Sequence, residues 1–157
     1  MVLSNFALVH RIDVLVTRYG KRGHVTQEVL GKISEGVAAG YAALSYAEEA
    51  VTSGRLAAAA PLTSVERQEY RDLLRSLSAG EASCIACAQA RGGTVATDDR
   101  AARDGCSHRG VSVTGTIGIL KACCTERTLE PTEADAILEA MVREGFYAPV
   151  RRVSDLL

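Results

Sequence analysis

The feature that most constrains this chain is the order of patterns in residues 92–120, GGTVATDDRAARDGCSHRGVSVTGTIGIL. "TVAT" and "VSVT" are short runs of β-branched and small residues that read as strands. "AARDGCSHRG" reads as a short helix between them, and "GTIGILKACCTERTL" as the helix that follows. Strands alternating with helices predict an α/β fold with a mainly parallel sheet.

The same alternation runs upstream. "RIDVLVTRYG" has apolar residues at helical spacing and Gly20 as a stop. "GHVT" is a short strand candidate before a helix over "QEVLGKISEGV", and "GYAALSYAEEAVTSG" is a small-residue helix ending at Gly54. "RLAAAAPL" predicts a short strand before Pro61. Two capping boxes then mark helix starts: Thr63 with Glu66, and Ser78 with Glu81. The second opens "ASCIACAQARG", which Gly92 ends. "TEADAILEAMVREG" is a helix capped by Thr132 and ended by Gly145, and "FYAPV" is a final strand or a docking segment. With no repeats, linkers or low-complexity tracts, the 157 residues form a single α/β/α domain.

Composition narrows the classes. At 47% hydrophobic and 24% charged, with three prolines, the chain is neither disordered nor collagen-like. A formal net charge of −1 excludes a strongly basic nucleic-acid footprint over the whole surface, though not a local patch. No stretch has the roughly 18 uncharged apolar residues of a membrane span, and "MVLSNFALVHR" lacks secretory-signal features, so a cytoplasmic location is expected. The five cysteines are an odd number; "CIAC" lies in a helical small-residue run, and Cys123-Cys124 do not supply a second zinc pair. They are read as small core residues. His10, His24 and His108 have no ligand spacing.

The acidic pair Asp98-Asp99 follows the "TVAT" strand directly, and adjacent carboxylates repel. A cap, a basic partner or a metal ion is needed to compensate them. In open parallel sheets, sites form where strands end and helix N-termini converge. Asp98 and Asp99 occupy one such end, Thr114-Gly115-Thr116 another, and Glu81 a first helical turn. Carboxylates gathered there offer the hard oxygens that Mg²⁺ or Mn²⁺ prefers. The structural alternatives stand beside this reading. Glu81 already serves the Ser78 capping box, Asp98 or Asp99 suits an N-cap, Arg100 and Arg103 can neutralise the pair, and Thr114 and Thr116 suit turns and caps.

"GEASCIACAQARGGTVATDDRAARDGCSHRGVSVTGTIGIL", with "LSNFALVHRIDVL" and "VTQEVLGKI" upstream, resembles PIN-like domains, in particular a prokaryotic group related to toxin–antitoxin ribonucleases. The resemblance covers nearly the whole chain. It implies a three-layer α/β/α sandwich with a mainly parallel central sheet, and Mg²⁺- or Mn²⁺-dependent hydrolysis of RNA phosphodiester bonds. Glu81 matches the family's acid at a helix start and Asp99 the acid of its strand end, with Asp98 a neighbouring carboxylate. These three are the expected catalytic and metal-binding residues. Asn5, Thr97, Thr114, Thr116 and Arg100 are the expected supporting or substrate-contacting ones.

Two departures qualify the match. The family's Asp at the end of its first strand, a few residues before "VLSNF", is not present, so the first strand is expected to be truncated. Lys32 stands where the family carries a Glu, with Glu28 and Glu35 within a helical turn. Two readings follow: a PIN-type ribonuclease acting as the toxin of a toxin–antitoxin pair, or a degenerate PIN-like module that binds RNA or protein without cutting. The resemblance also implies a small antitoxin partner and a homodimer. "RYGKRGH" and "HRG" are local basic groups that suit RNA phosphates, the first more simply a solvated loop. A phospho-receiver is rejected because its acidic pair follows the first strand, whereas this pair comes late.

Overall fold

The computed structural model describes residues 1–157. Nine α-helices and four short strands alternate along the chain. Helices α1 (Val2–Leu8) and α2 (Ile12–Tyr19) precede β1 (His24–Val25), α3 (Gln27–Ala38), α4 (Ser45–Thr52) and β2 (Ala57–Ala58). Then come α5 (Ser64–Leu73), α6 (Ala79–Arg91), β3 (Thr94–Ala96), α7 (Arg100–His108), β4 (Ser112–Thr114), α8 (Thr116–Thr125) and α9 (Pro131–Arg143).

The strands pair in parallel, β1 with β2 and β3 with β4. Val95 stands opposite Val113, and the Thr97 N–H donates to the Thr114 carbonyl at 2.9 Å, carrying the ladder one residue past β3. This is the expected α/β fold with parallel strands, but its sheet is divided into two pairs that share no ladder. Strands of two or three residues carry few hydrogen bonds, so helix packing supplies most of the cohesion. That packing falls into two clusters. The larger joins α1, α2, α3, α4, α8 and α9 around Phe6, Ile33, Leu120 and Met141. The smaller joins α5, α6, α7 and β3 around Leu73, Ile85, Val95 and Cys106, and Cys84 packs against both.

Local chemistry sets most boundaries. Both capping boxes form in full, Thr63 with Glu66 and Ser78 with Glu81. Gly20 and Gly92 end α2 and α6 at positive φ, 50° and 74°, a conformation glycine adopts without steric cost. Two expectations need correction. The last helix starts at Pro131 with Glu130 at the N-cap, leaving Thr132 inside, because proline's fixed φ suits the first helical position. "FYAPV" is not a strand: Phe146, Ala148 and Val150 lie against the main core, and Val153 behind them is fully buried. Residues 2–8 form α1, whose buried face is Val2, Phe6 and Ala7.

Two long-range ties fix α5. Buried Glu66 takes Arg91 Nε at 2.7 Å and Nη2 at 2.8 Å, and Arg91 also donates to the Ala60 and Pro61 carbonyls at 3.1 Å. Arg109 of the turn after α7 meets Glu69 at 2.6 Å. All five cysteines are free; Cys106, Cys123 and Cys124 are buried and Cys84 and Cys87 half-buried. Burial pushes the Cys84 thiol up to about 11. No helix is long and apolar enough to cross a membrane.

Candidate active site

The carboxyl ends of β3 and β4 meet the amino ends of α7 and α8, and α1 closes over them with Asn5. The compensation the acidic pair requires is here, and it differs for the two acids. Asp99 is the N-cap of α7: its Oδ1 accepts from the Ala102 N–H at 2.8 Å. Its own N–H donates to Thr97 Oγ1 at 3.2 Å, so buried Thr97 holds the turn that delivers it. Asp98 points the other way, across to α8. Its Oδ1 accepts from the Thr116 N–H at 2.8 Å, and its Oδ2 from the Thr116 hydroxyl at 2.6 Å. Asn5 Nδ2 donates to Asp98 Oδ2 at 3.2 Å and to Thr116 Oγ1 at 3.0 Å.

Asp98 therefore couples the β3 end, the α8 start and α1 through the fully buried Thr116. Gly115 makes this approach possible. A Cβ built there would stand 2.6 Å from Asp98 Oδ1, 3.3 Å from Arg103 Nη1 and 3.4 Å from the Thr97 carbonyl. Arg103 donates to that carbonyl at 3.0 Å rather than pairing with either acid. The role of Gly115 was not foreseen, although glycine between a strand and a helix is a signal of close backbone approach.

Glu81 sits one helix away. Its Oε2 accepts from the Ser78 N–H at 3.2 Å and the Ser78 hydroxyl at 2.8 Å, so it is a working half of the capping box. The structure thus brings Asn5, Asp98 and Thr116 together and ties Thr97 to Asp99. It leaves Glu81 bonded only within its own helix start. Thr114 is half-buried at the end of β4, its Oγ1 2.9 Å from where a Gly118 Cβ would lie. Arg100 is exposed on the first turn of α7. Lys32 is exposed on α3.

The donor chemistry bears on whether a divalent cation fits. Both Asp98 oxygens are engaged, whereas Asp99 Oδ2 and Glu81 Oε1 have no hydrogen-bond partner within the chain. No three His, Cys, Asp or Glu side chains are grouped closely enough to hold an ion by themselves. A closed protein cage is therefore not formed. In the other mode by which proteins bind a hard divalent cation, one or two carboxylates share the ion with water and substrate phosphate, and Asp99 Oδ2 and Glu81 Oε1 are the oxygens left open for it.

No curated protein and no solved structure matches the chain. A family model described as a PIN domain matches all of it, residues 1–157. The parallel strands, the acids at the β3 end and a match over the full length agree, and the chain belongs to the PIN domain family.

Proposed function

We propose that this protein is a metal-dependent ribonuclease of PIN type that hydrolyses RNA phosphodiester bonds at the Asp98–Asp99 edge. The observation that carries the reading is the arrangement of that edge within a PIN domain: Asp98 is consumed in holding β3, α8 and α1 together, while exposed Asp99 keeps Oδ2 without a hydrogen-bond partner. Asp99 and Glu81 are the residues that would hold Mg²⁺ or Mn²⁺. Such an ion, when bound, lowers the pKa of a coordinated water and offsets charge on the phosphate. The chain's own contributions are positional. Thr97 fixes the Asp99 backbone, Arg103 fixes the Thr97 carbonyl, and the Asp98–Thr116–Asn5 linkage keeps both strand ends in register. Arg100 and the Thr114 hydroxyl have no hydrogen-bonding partner within the chain and would meet phosphate oxygens.

Within this reading the protein is the toxin of a toxin–antitoxin pair, a cytoplasmic homodimer whose small antitoxin partner covers the acidic edge. What supports these finer assignments is the sequence resemblance alone. The test pairs Mn²⁺ calorimetry with cleavage of a labelled RNA, on the protein and its Asp99→Asn and Glu81→Gln variants. Metal binding and cleavage lost in both variants are expected. No Mn²⁺ binding at millimolar concentration, with RNA left intact, would refute the nuclease reading.

A second reading has its own observation. The absence of any three-acid group, with Asp98 fully engaged, favours a PIN-like module that binds RNA or a protein partner without cutting it. RNA retained at full length in Mn²⁺ but bound by the protein would select it.

A further inference from the structure

A cavity of about 200 Å³ opens where β1 and β2 end, between the first turn of α3 and the flank of α5. Gln27 and Glu28 of α3, Leu62 of the loop after β2, and Arg67, Tyr70 and Arg71 of α5 line it. Two features set it apart. Arg67 has no ion-pair or hydrogen-bond partner, and Arg71 donates only to the neutral Gln68 Oε1, at 3.1 Å. Like charges four residues apart on a helix repel each other, and Glu28, the only acid lining the cavity, pairs with neither arginine. By contrast, the second cavity, about 180 Å³ beside α2, has its Arg11 already neutralised by Asp13 at 2.9 Å and Glu133 at 2.8 Å. The first cavity instead combines uncompensated cations with an aromatic side chain, and Tyr70 is half-buried against the smaller core.

Its position also matters. Thr26, which caps α3, meets Ser83 at 2.8 Å between the two hydroxyl oxygens, and a Cβ on Gly80 would stand 3.2 Å from Val29 Cγ2. The turn that walls the cavity thus packs on the turn of α6 that carries Glu81. At about 200 Å³ the space is smaller than the roughly 300–1,000 Å³ of sites that enclose a whole small ligand. It suits one unit of a longer chain. Guanidinium groups recognise phosphate through paired N–H donors, and an aromatic face stacks any base.

We propose that this cavity is a subsite for single-stranded RNA, in which Arg67 and Arg71 hold backbone phosphate and Tyr70 stacks on the adjacent base. The subsite rests on the RNA reading above and extends it to a residue set remote from the Asp99 edge. RNA entering here runs past the start of α6 toward Glu81.

The test uses fluorescence anisotropy of a fluorescein-labelled 12-nucleotide 2′-O-methyl RNA in EDTA, so that neither cleavage nor metal enters. The wild type is compared with Arg67→Gln/Arg71→Gln, Tyr70→Leu and the control Arg75→Gln, each checked by circular dichroism. The double variant should bind at least tenfold more weakly, and its salt slope should fall by about 0.7 for each phosphate no longer neutralised. Tyr70→Leu, which keeps apolar volume against the core, should weaken binding by about fivefold or more. Arg75→Gln should bind like the wild type. If the wild type binds and the double and Tyr70 variants bind equally well, the subsite is refuted while the RNA reading stands. If the wild type binds no RNA, the RNA reading falls and the subsite with it. Displacement of the RNA by a poly-glutamate peptide at equal charge concentration would also overturn the subsite, in favour of an acidic protein ligand.

Discussion

Replacing Asp98 tests whether the acidic pair is divided between a structural and a chemical role. In Asp98→Ala, the Thr116 N–H and the Thr116 hydroxyl proton both lose their acceptor, in a residue with no solvent exposure. Each stranded buried donor costs about 1–3 kcal/mol. Thr116 Oγ1 keeps the Asn5 amide as a donor at 3.0 Å, which limits the damage. Relief of the repulsion from Asp99 offsets part of the rest, and a net loss of about 3 kcal/mol is expected. For a chain of this length that corresponds to a Tm lowered by roughly 6–12 °C. Urea unfolding followed by far-ultraviolet circular dichroism measures it directly. A double-mutant cycle with Thr116→Val should return a coupling of about 1 kcal/mol or more, because the two residues share one network. A loss under about 0.5 kcal/mol in Asp98→Ala, with additive effects in the cycle, would refute the assignment of Asp98 to holding the strand ends.

Neighbouring residues carry further expectations. Gly115→Ala should destabilise the chain by about 1–3 kcal/mol, because its Cβ would meet Asp98 Oδ1 at 2.6 Å; unchanged urea stability would show that the loop yields freely. Asp99→Ala should cost about 1 kcal/mol through loss of the α7 N-cap, whereas Asp99→Asn, also a good cap, should leave stability nearly intact and so serves in the metal assay. Arg91 holds the Glu66 carboxyl down at about 2, below its ordinary 4.5. A depressed carboxyl contributes stability that is present above pH 4.5 and lost as pH falls toward 2. Glu66→Gln should therefore flatten the fall in Tm across that window, and an unaltered slope would assign acid lability elsewhere. Burial pushes Cys84 up to about 11 and the other four thiols upward as well. Ellman's reagent at pH 8 should react slowly with the folded chain and rapidly with five thiols in urea; fast native reaction of several would contradict their packing.

Sequence alone determined what depends on near neighbours in the chain. The capping boxes at Thr63 and Ser78, the glycine stops at Gly20 and Gly92, and the four short strands all formed where composition placed them, because each is settled within four or five residues. Local rules failed at α9, where a cap at Thr132 was expected but the helix starts at Pro131, whose fixed φ suits the first helical position. The acids at the β3 end were equally legible as candidates, since a strand end followed by a helix start is a local pattern. Which acid does what was not legible. Asp98 and Asp99 are chemically identical neighbours, and only the tertiary arrangement turns one toward Thr116 and Asn5, 18 and 93 residues away in sequence, and the other into the α7 cap. Nor could spacing bring Arg67, Tyr70 and Arg71 to the first turn of α3, because α5 reaches it through the Glu66–Arg91 tie to α6. Contacts between distant segments are decided by which buried surfaces and ion pairs fit, and no short window of sequence contains both halves of that fit.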